Sequence, residues 1–229
     1  MPLSKNIHIQ INKGFRKCEK NLKMNTTICD VTNAIFNVFK DAKEKKYNNI
    51  LLLEDDFIFD EKIKDKKVIS SLENFINNQK FDIYYLGCVP IRFSSNINFN
   101  YLRHLKLVSS RCIHSSILTK NARNKIIKAY DKNPEFDCTF LELTFPKICN
   151  DIYCYYKPLC YQTFPNTEQS QVWLKNSFVK YFIKKNQLDI KPQPGFKNIY
   201  LIIYIVNIVI FILIILFIIL IFKIFYSLK

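Results

Sequence analysis

From Ile199 to Phe222 the chain is almost wholly Ile, Leu, Val, Phe and Tyr, interrupted only by Asn207. At ~1.5 Å per residue such a helix is ~36 Å long, enough to cross a ~30 Å hydrocarbon layer with some tilt. A run of this length and apolarity reads as a transmembrane helix; the competing reading is a helix buried in a core. Tyr200 and Tyr204 sit near one end, and Lys223 and Lys229 flank the other. The stretch before it carries Lys175, Lys180, Lys184, Lys185, Lys191 and Lys197, a larger positive excess than the 223–229 tail. The positive-inside rule therefore predicts a single-pass protein, anchored at its C-terminus, with the large domain facing the cytoplasm. Met1 to Gly14 lacks the apolar centre of a signal peptide, in keeping with that topology. Residues 189–198, with Pro192, Pro194 and Gly195, read as a linker, which leaves 1–188 as one domain of ordinary size.

Charge narrows the partners. Lys and Arg number 34 against 19 Asp and Glu, a formal net charge of +15. The lysines are spread thinly, without a basic block, finger spacing or glycine-aromatic RNA-binding signature. A diffuse basic surface that tolerates phosphate-bearing or anionic-membrane partners accounts for the charge as well as a nucleic-acid interface does. The eight cysteines form no C-x-x-C pair and match no zinc or disulfide framework, so reduced thiols are expected. Cys112 and His114 are the one close Cys and His pairing, and without two further ligands they read as packing.

Along the chain, helical and extended periodicities alternate. Ile7, Ile9 and Ile11 have the spacing of a half-buried strand. Val31, Ala34, Ile35, Val38, Phe39 and Ala42 fall on one helical face, with Asp30 as an N-cap. Ile50 to Leu53 predicts a strand buried on both faces, and Val68 to Asn77 a helix. Phe81 to Gly87 predicts a second strand that ends in a glycine turn. Arg111 to Leu118 predicts a third, followed by a helix capped by Thr119 and running through Asp131. Tyr153 to Pro158 predicts a final strand, and Leu159 to Pro165 an extended segment with the character of a surface loop. Alternation of this kind indicates an α/β fold.

The first predicted strand ends in Glu54, Asp55 and Asp56. Ligands of such sheets bind at the carboxyl ends of the strands, and three adjacent acids there call for a cation to offset their repulsion. The other reading is a solvated acidic turn. Asp137 and Glu142, five apart in a semi-apolar segment, are further acids placed to face a cleft. His114, mid-strand, reads by itself as a satisfied core residue.

Several stretches, in chain order, carry a resemblance: Ile50 to Asp56 (ILLLEDD), Tyr84 to Pro90 (YYLGCVP), His114 to Ala122 (HSSILTKNA), Asp137, Lys157 to Gln162 (KPLCYQ) and Ser170. Over about residues 10 to 175 the chain resembles the family 25 glycosyltransferases, the lipooligosaccharide and collagen galactosyltransferase type, and especially the related proteins of large DNA viruses. The resemblance implies a GT-A-like single domain, a mixed sheet flanked by helices. It also implies a nucleotide-sugar donor, UDP-hexose foremost, and a divalent metal, manganese foremost. Asp56 and Glu54 would engage the metal, and Glu54, Asp55, His114 and Gln162 the donor. Family members invert the anomeric centre, which calls for a carboxylate general base; Asp137 takes that role here and Glu142 stands second. The acceptor would be a hydroxyl of a glycan, protein or lipid, with no nucleic-acid partner. Fewer residues precede the acidic motif than in bacterial members, which implies a shortened nucleotide-binding part. Two other expectations therefore stand beside the enzyme: an inactive glycosyltransferase-like membrane or virion protein, and a basic membrane-tethered nucleic-acid binder.

Overall fold

A computed structural model describes residues 27–94, 102–132, 141–164 and 177–227. The predicted strand at Ile7 to Ile11 and the candidate base Asp137 lie outside the described residues. Helix α1 (Thr27–Glu44) leads through a turn at Lys46 into β1 (Asn49–Leu53), and β2 (Phe57–Phe59) follows the acids. A short 3-10 turn precedes α2 (Lys66–Asn78), then come the long strands β3 (Ile83–Phe93) and β4 (His104–Thr119). Helices α3 (Lys120–Lys132) and α4 (Leu141–Ile148), strands β5 (Ile152–Tyr155) and β6 (Cys160–Gln162), and helices α5 (Ser177–Lys185) and α6 (Pro192–Ser227) complete the order.

The main sheet has the order β1-β4-β3-β5 and is mixed: β3 runs antiparallel to β4 and parallel to β5. The first half of β4 also pairs with β5, His104 opposite Tyr155, so the sheet curls back on itself. The bend comes from register shifts along β3 between Tyr85 and Gly87, between Gly87 and Val89, and near Pro90 to Phe93. Such bulges increase local twist and let a long strand fold over.

The strand buried on both faces is β3, not β1. Ile83 and Tyr85 point into a core with α1, α3 and α4, while Tyr84 and Leu86 point into another with α2. That is the period-two alternation of a central strand. β1 instead lies at the sheet edge, paired only with β4 among the described strands, and Leu51 remains 49% exposed. Its unbroken apolar run reads as fully buried, but Ile50 and Leu52 pack inward while Leu51 does not.

Further boundaries differ from expectation: the segment Leu159 to Pro165, read as a surface loop, holds the largely buried strand β6. Gly87 does not end its strand; the strand continues through a bulge. The stretch read as a linker, 189–198, is largely the start of α6: Phe196 is wholly buried and packs with Val89, Tyr161, Ile183 and Leu188. Ile199 and Tyr200, expected inside the membrane span, are likewise buried against the domain, so the exposed apolar run begins at Leu201 and reaches Ile224. Pro192 is tolerated because the first helical turn has no use for its missing N–H. The α6 helix is long and apolar enough to span a membrane.

Polar groups tie the layers together. Asp82, almost fully buried, receives Lys125 Nζ at 2.8 Å, Asn121 Nδ2 at 3.1 Å and the Asn150 N–H at 3.2 Å, joining β3, α3 and the turn before β5. Thr119 caps α3 as expected, accepting the Ala122 N–H at 3.2 Å. Cys88, Cys112, Cys149, Cys154 and Cys160 are free thiols, whereas Cys29 is disulfide-bonded, a departure from the reduced state expected throughout.

Candidate functional site

The acids at the end of β1 are held between two antiparallel pairings. The β1–β4 ladder runs from Asn49 opposite Thr119 to Leu53 opposite Ser115, and the Glu54 N–H extends it onto the His114 carbonyl at 3.0 Å. Asp55 and Asp56 then turn the chain into β2, which pairs with β6 so that Phe57 faces Gln162. The Asp56 carbonyl accepts the Thr163 N–H at 2.8 Å. The backbone around the turn is thereby fixed on both sides.

Gln162 closes the arrangement. Its Nε2 donates to Glu54 Oε2 at 3.2 Å and to Asp56 Oδ2 at 3.0 Å, so one amide draws two carboxylates of the motif to a single point. Asp55 is exposed and stands outside that pair. Burial pushes the Asp56 carboxyl up to about 6; the Gln162 amide opposes the rise and the Asp55 charge adds to it. A carboxyl titrating there changes charge close to neutral pH, as functional carboxylates often do.

Two buried oxygens beside this pair, Asp56 Oδ1 and Gln162 Oε1, have no hydrogen-bond partner. Both are acceptors only, and a buried acceptor is costly unless a donor or a cation meets it. Glu54, Asp56 and the Gln162 amide oxygen are therefore a donor set of the kind that hard divalent cations take, with the remaining positions left to water or phosphate oxygens. Among the described residues no three His, Cys, Asp or Glu side chains converge on one point, so a cation here would rest on two carboxylates and the amide. The residues fit a divalent metal on those terms.

His114 does something other than line a pocket. The ring is wholly enclosed, Nε2 lies 3.2 Å from the Cys160 carbonyl, and Phe196 of α6 packs edge-on at 5.7 Å between centroids. Burial lowers its pKa to about 4, which keeps it neutral. The neutral ring donates from Nε2 to that carbonyl and so fastens β6, two residues before Gln162, to β4. His114 is a positioning residue in this fold, with no surface open to a nucleotide-sugar.

Arg123 was not legible as part of the site. It is 1% exposed, and its guanidinium donates to the carbonyls of Leu118 (2.9 Å), Asn48 (3.4 Å) and Tyr47. It thereby pins the turn that launches β1. One signal was available: Arg123, Ile126, Ile127 and Tyr130 share the buried stripe of α3, where a charged residue is out of place unless it is bonded. Glu142 lies in α4, and Asp137 and Ser170 lie outside the described residues. No protein-family model matches the chain, and no curated protein matches it.

Proposed function

We propose that this chain is a membrane-anchored glycosyltransferase of GT-A-like fold that uses a divalent metal, manganese foremost, to move a hexose from a nucleotide-sugar to a hydroxyl acceptor with inversion. The observation that carries this reading is the convergence of Glu54 and Asp56 on Gln162, beside two partnerless buried oxygens. A bound divalent ion supplies charge neutralisation for the diphosphate that departs. Glu54, Asp56 and the Gln162 amide oxygen would hold the ion, and the Thr163 N–H keeps the Asp56 backbone still. Asp55, exposed beside them, faces the donor. Asp137, or failing it Glu142, removes the acceptor proton, a role typically worth about 10²- to 10⁴-fold in rate. The lysine bias ahead of the exposed apolar run supports a domain on the cytoplasmic side, with a glycan, protein or lipid acceptor there, whereas the Cys29 disulfide is of a kind rare in that compartment.

A second reading has one observation in its favour. The Gln162 N–H groups already occupy the point between the carboxylates, as in a fold that keeps its acids tied down and no longer binds metal. The deciding experiment is release of nucleotide from UDP-hexoses by the full-length protein in detergent, with and without Mn²⁺. Metal-dependent release that disappears in Asp56→Ala supports the enzyme. Absence of both turnover and calorimetric Mn²⁺ binding leaves the inactive protein.

A further inference from the structure

Away from the acidic turn, α2 and the start of β4 border an open cavity of about 480 Å³ lined by Lys66, Lys67, Ser70, Ser71, Asn74 and Arg103. The residues at 66/67, 70/71 and 74 share one face of the helix, and Arg103 lines the same opening. None is acidic, and no ion pair among the described residues takes Lys66, Lys67 or Arg103.

The uncharged groups are donors as well. Asn78 Nδ2 donates to Asn74 Oδ1 at 2.7 Å, which engages the Asn74 carbonyl and leaves its N–H groups. Ser71 is set by a relay behind it. The buried Tyr84 hydroxyl lies 2.8 Å from His104 Nδ1, and His104 Nε2 lies 3.0 Å from Ser71 Oγ. Among the described residues His104 Nδ1 is the acceptor that the Tyr84 O–H reaches. With the imidazole proton on Nε2, Tyr84 donates to Nδ1 and Ser71 Oγ accepts from Nε2, which leaves the Ser71 hydroxyl hydrogen as a donor. Phe75 stacks on the imidazole at 4.3 Å between centroids and holds it in this pose. A concavity that offers two ammoniums, a guanidinium, an amide N–H pair and hydroxyls, beside an Asp65 carboxylate already engaged at 2.8 Å on the Lys67 N–H as the cap of α2, complements a compact multivalent anion.

We infer that this cavity binds the phosphate of a phosphate monoester or diphosphate, through Lys66, Lys67 and Arg103 with Ser71 and Asn74 as neutral donors. It shares no residue with the acidic turn and does not depend on the enzymatic reading. Two sources carry such a group: a soluble phosphate compound, and the headgroup of a phosphorylated lipid in the membrane that holds α6.

The test titrates full-length protein, held in phosphatidylcholine nanodiscs, with inorganic pyrophosphate by calorimetry, at constant ionic strength and without divalent metal. Lys67→Ala/Arg103→Ala is expected to weaken binding tenfold or more, and Ser71→Ala several-fold. Lys120→Ala/Lys128→Ala, which removes the same charge elsewhere, and Asp56→Ala are each expected to change it less than twofold. The lysines and Arg103 are exposed, and melting temperatures confirm that each variant is folded. Equal losses in the two double variants overturn the site in favour of diffuse attraction, and so does absence of binding at millimolar pyrophosphate. Repeating the titration in nanodiscs doped with a phosphatidylinositol phosphate identifies the source. Competition that depends on Arg103 names the lipid headgroup; undiminished affinity names the soluble compound.

Discussion

The ring of His114 occupies the space that a side chain on Gly87 would need: a Cβ there would lie 2.2 Å from His114 Nε2 and 2.5 Å from the Cys160 carbonyl oxygen. The missing side chain lets β4 reach β6 across β3, and β6 carries Gln162 to the acids. Gly87→Ala is therefore expected to cost roughly 1–3 kcal/mol or more through overpacking, read as a lower urea midpoint of the detergent-solubilised protein. Adding His114→Ala to Gly87→Ala removes the contact with the ring and leaves the one with the Cys160 backbone, so the double variant should lose less than the two single losses combined but stay below the parent. A Gly87→Ala protein as stable as its parent would show that the ring has another place to go.

Acid should destabilise the protein, and Asp56 should soften the effect. His104 and His114 are held near 4, below their ordinary 6.5, both chiefly by burial. Between those values the unfolded chain binds protons there that the folded chain does not, so stability falls as pH falls. Asp56 acts in the opposite sense: its carboxyl, up at about 6 from 3.8, binds a proton in the folded state first, so stability rises as pH falls through that window. Two groups outweigh one, and the melting temperature is expected to drop from pH 7 to pH 5. Asp56→Asn should steepen that drop, and a shallower drop would contradict the burial assigned to Asp56.

The same titration bears on metal. Only the ionised Asp56 carboxylate is a good ligand, so Mn²⁺ affinity should weaken about tenfold for each unit that the pH falls below about 6. Calorimetric affinity that stays flat from pH 7 to pH 5 would remove Asp56 from the ligand set.

The first turns of α6 belong to the domain. Phe196→Ala deletes a wholly buried ring that meets His114, Tyr161 and Phe164, at an expected cost of about 3–5 kcal/mol. A chain ended after Leu188 should lose protease resistance in 27–164, whereas one ended after Asn207 should retain it. Equal resistance in both would restore the linker.

Arg123→Met keeps the bulk of the side chain and removes its donors from the Tyr47, Asn48 and Leu118 carbonyls. The expected loss is on the order of 1–3 kcal/mol, because the buried Leu118 carbonyl loses this donor while the Asn48 carbonyl keeps the Lys120 N–H. Faster amide exchange should concentrate at the β1 turn, and exchange that is unchanged there would contradict the pinning role.

Local chemistry made several elements readable. The apolar stripe of α1, the Thr119 cap of α3 and the long apolar run in α6 each follow from residues close together in the chain, where spacing alone decides which face meets oil or water. The acids after Leu53 were legible for the same reason, and the proposal of a GT-A-like fold rests on that motif and its neighbours. Tertiary structure decided the rest. Whether Ile50 to Leu53 lies at the centre or the edge depends on which strands pair beside it, and β3 took the centre. Gly87 looked like a stop because sequence does not show that a histidine 27 positions later needs its empty space. Gln162 and Glu54, 108 residues apart, meet only because β2 and β6 pair. Long-range pairing of this kind is set by the sum of packing and hydrogen bonds over the whole sheet, which no local pattern encodes.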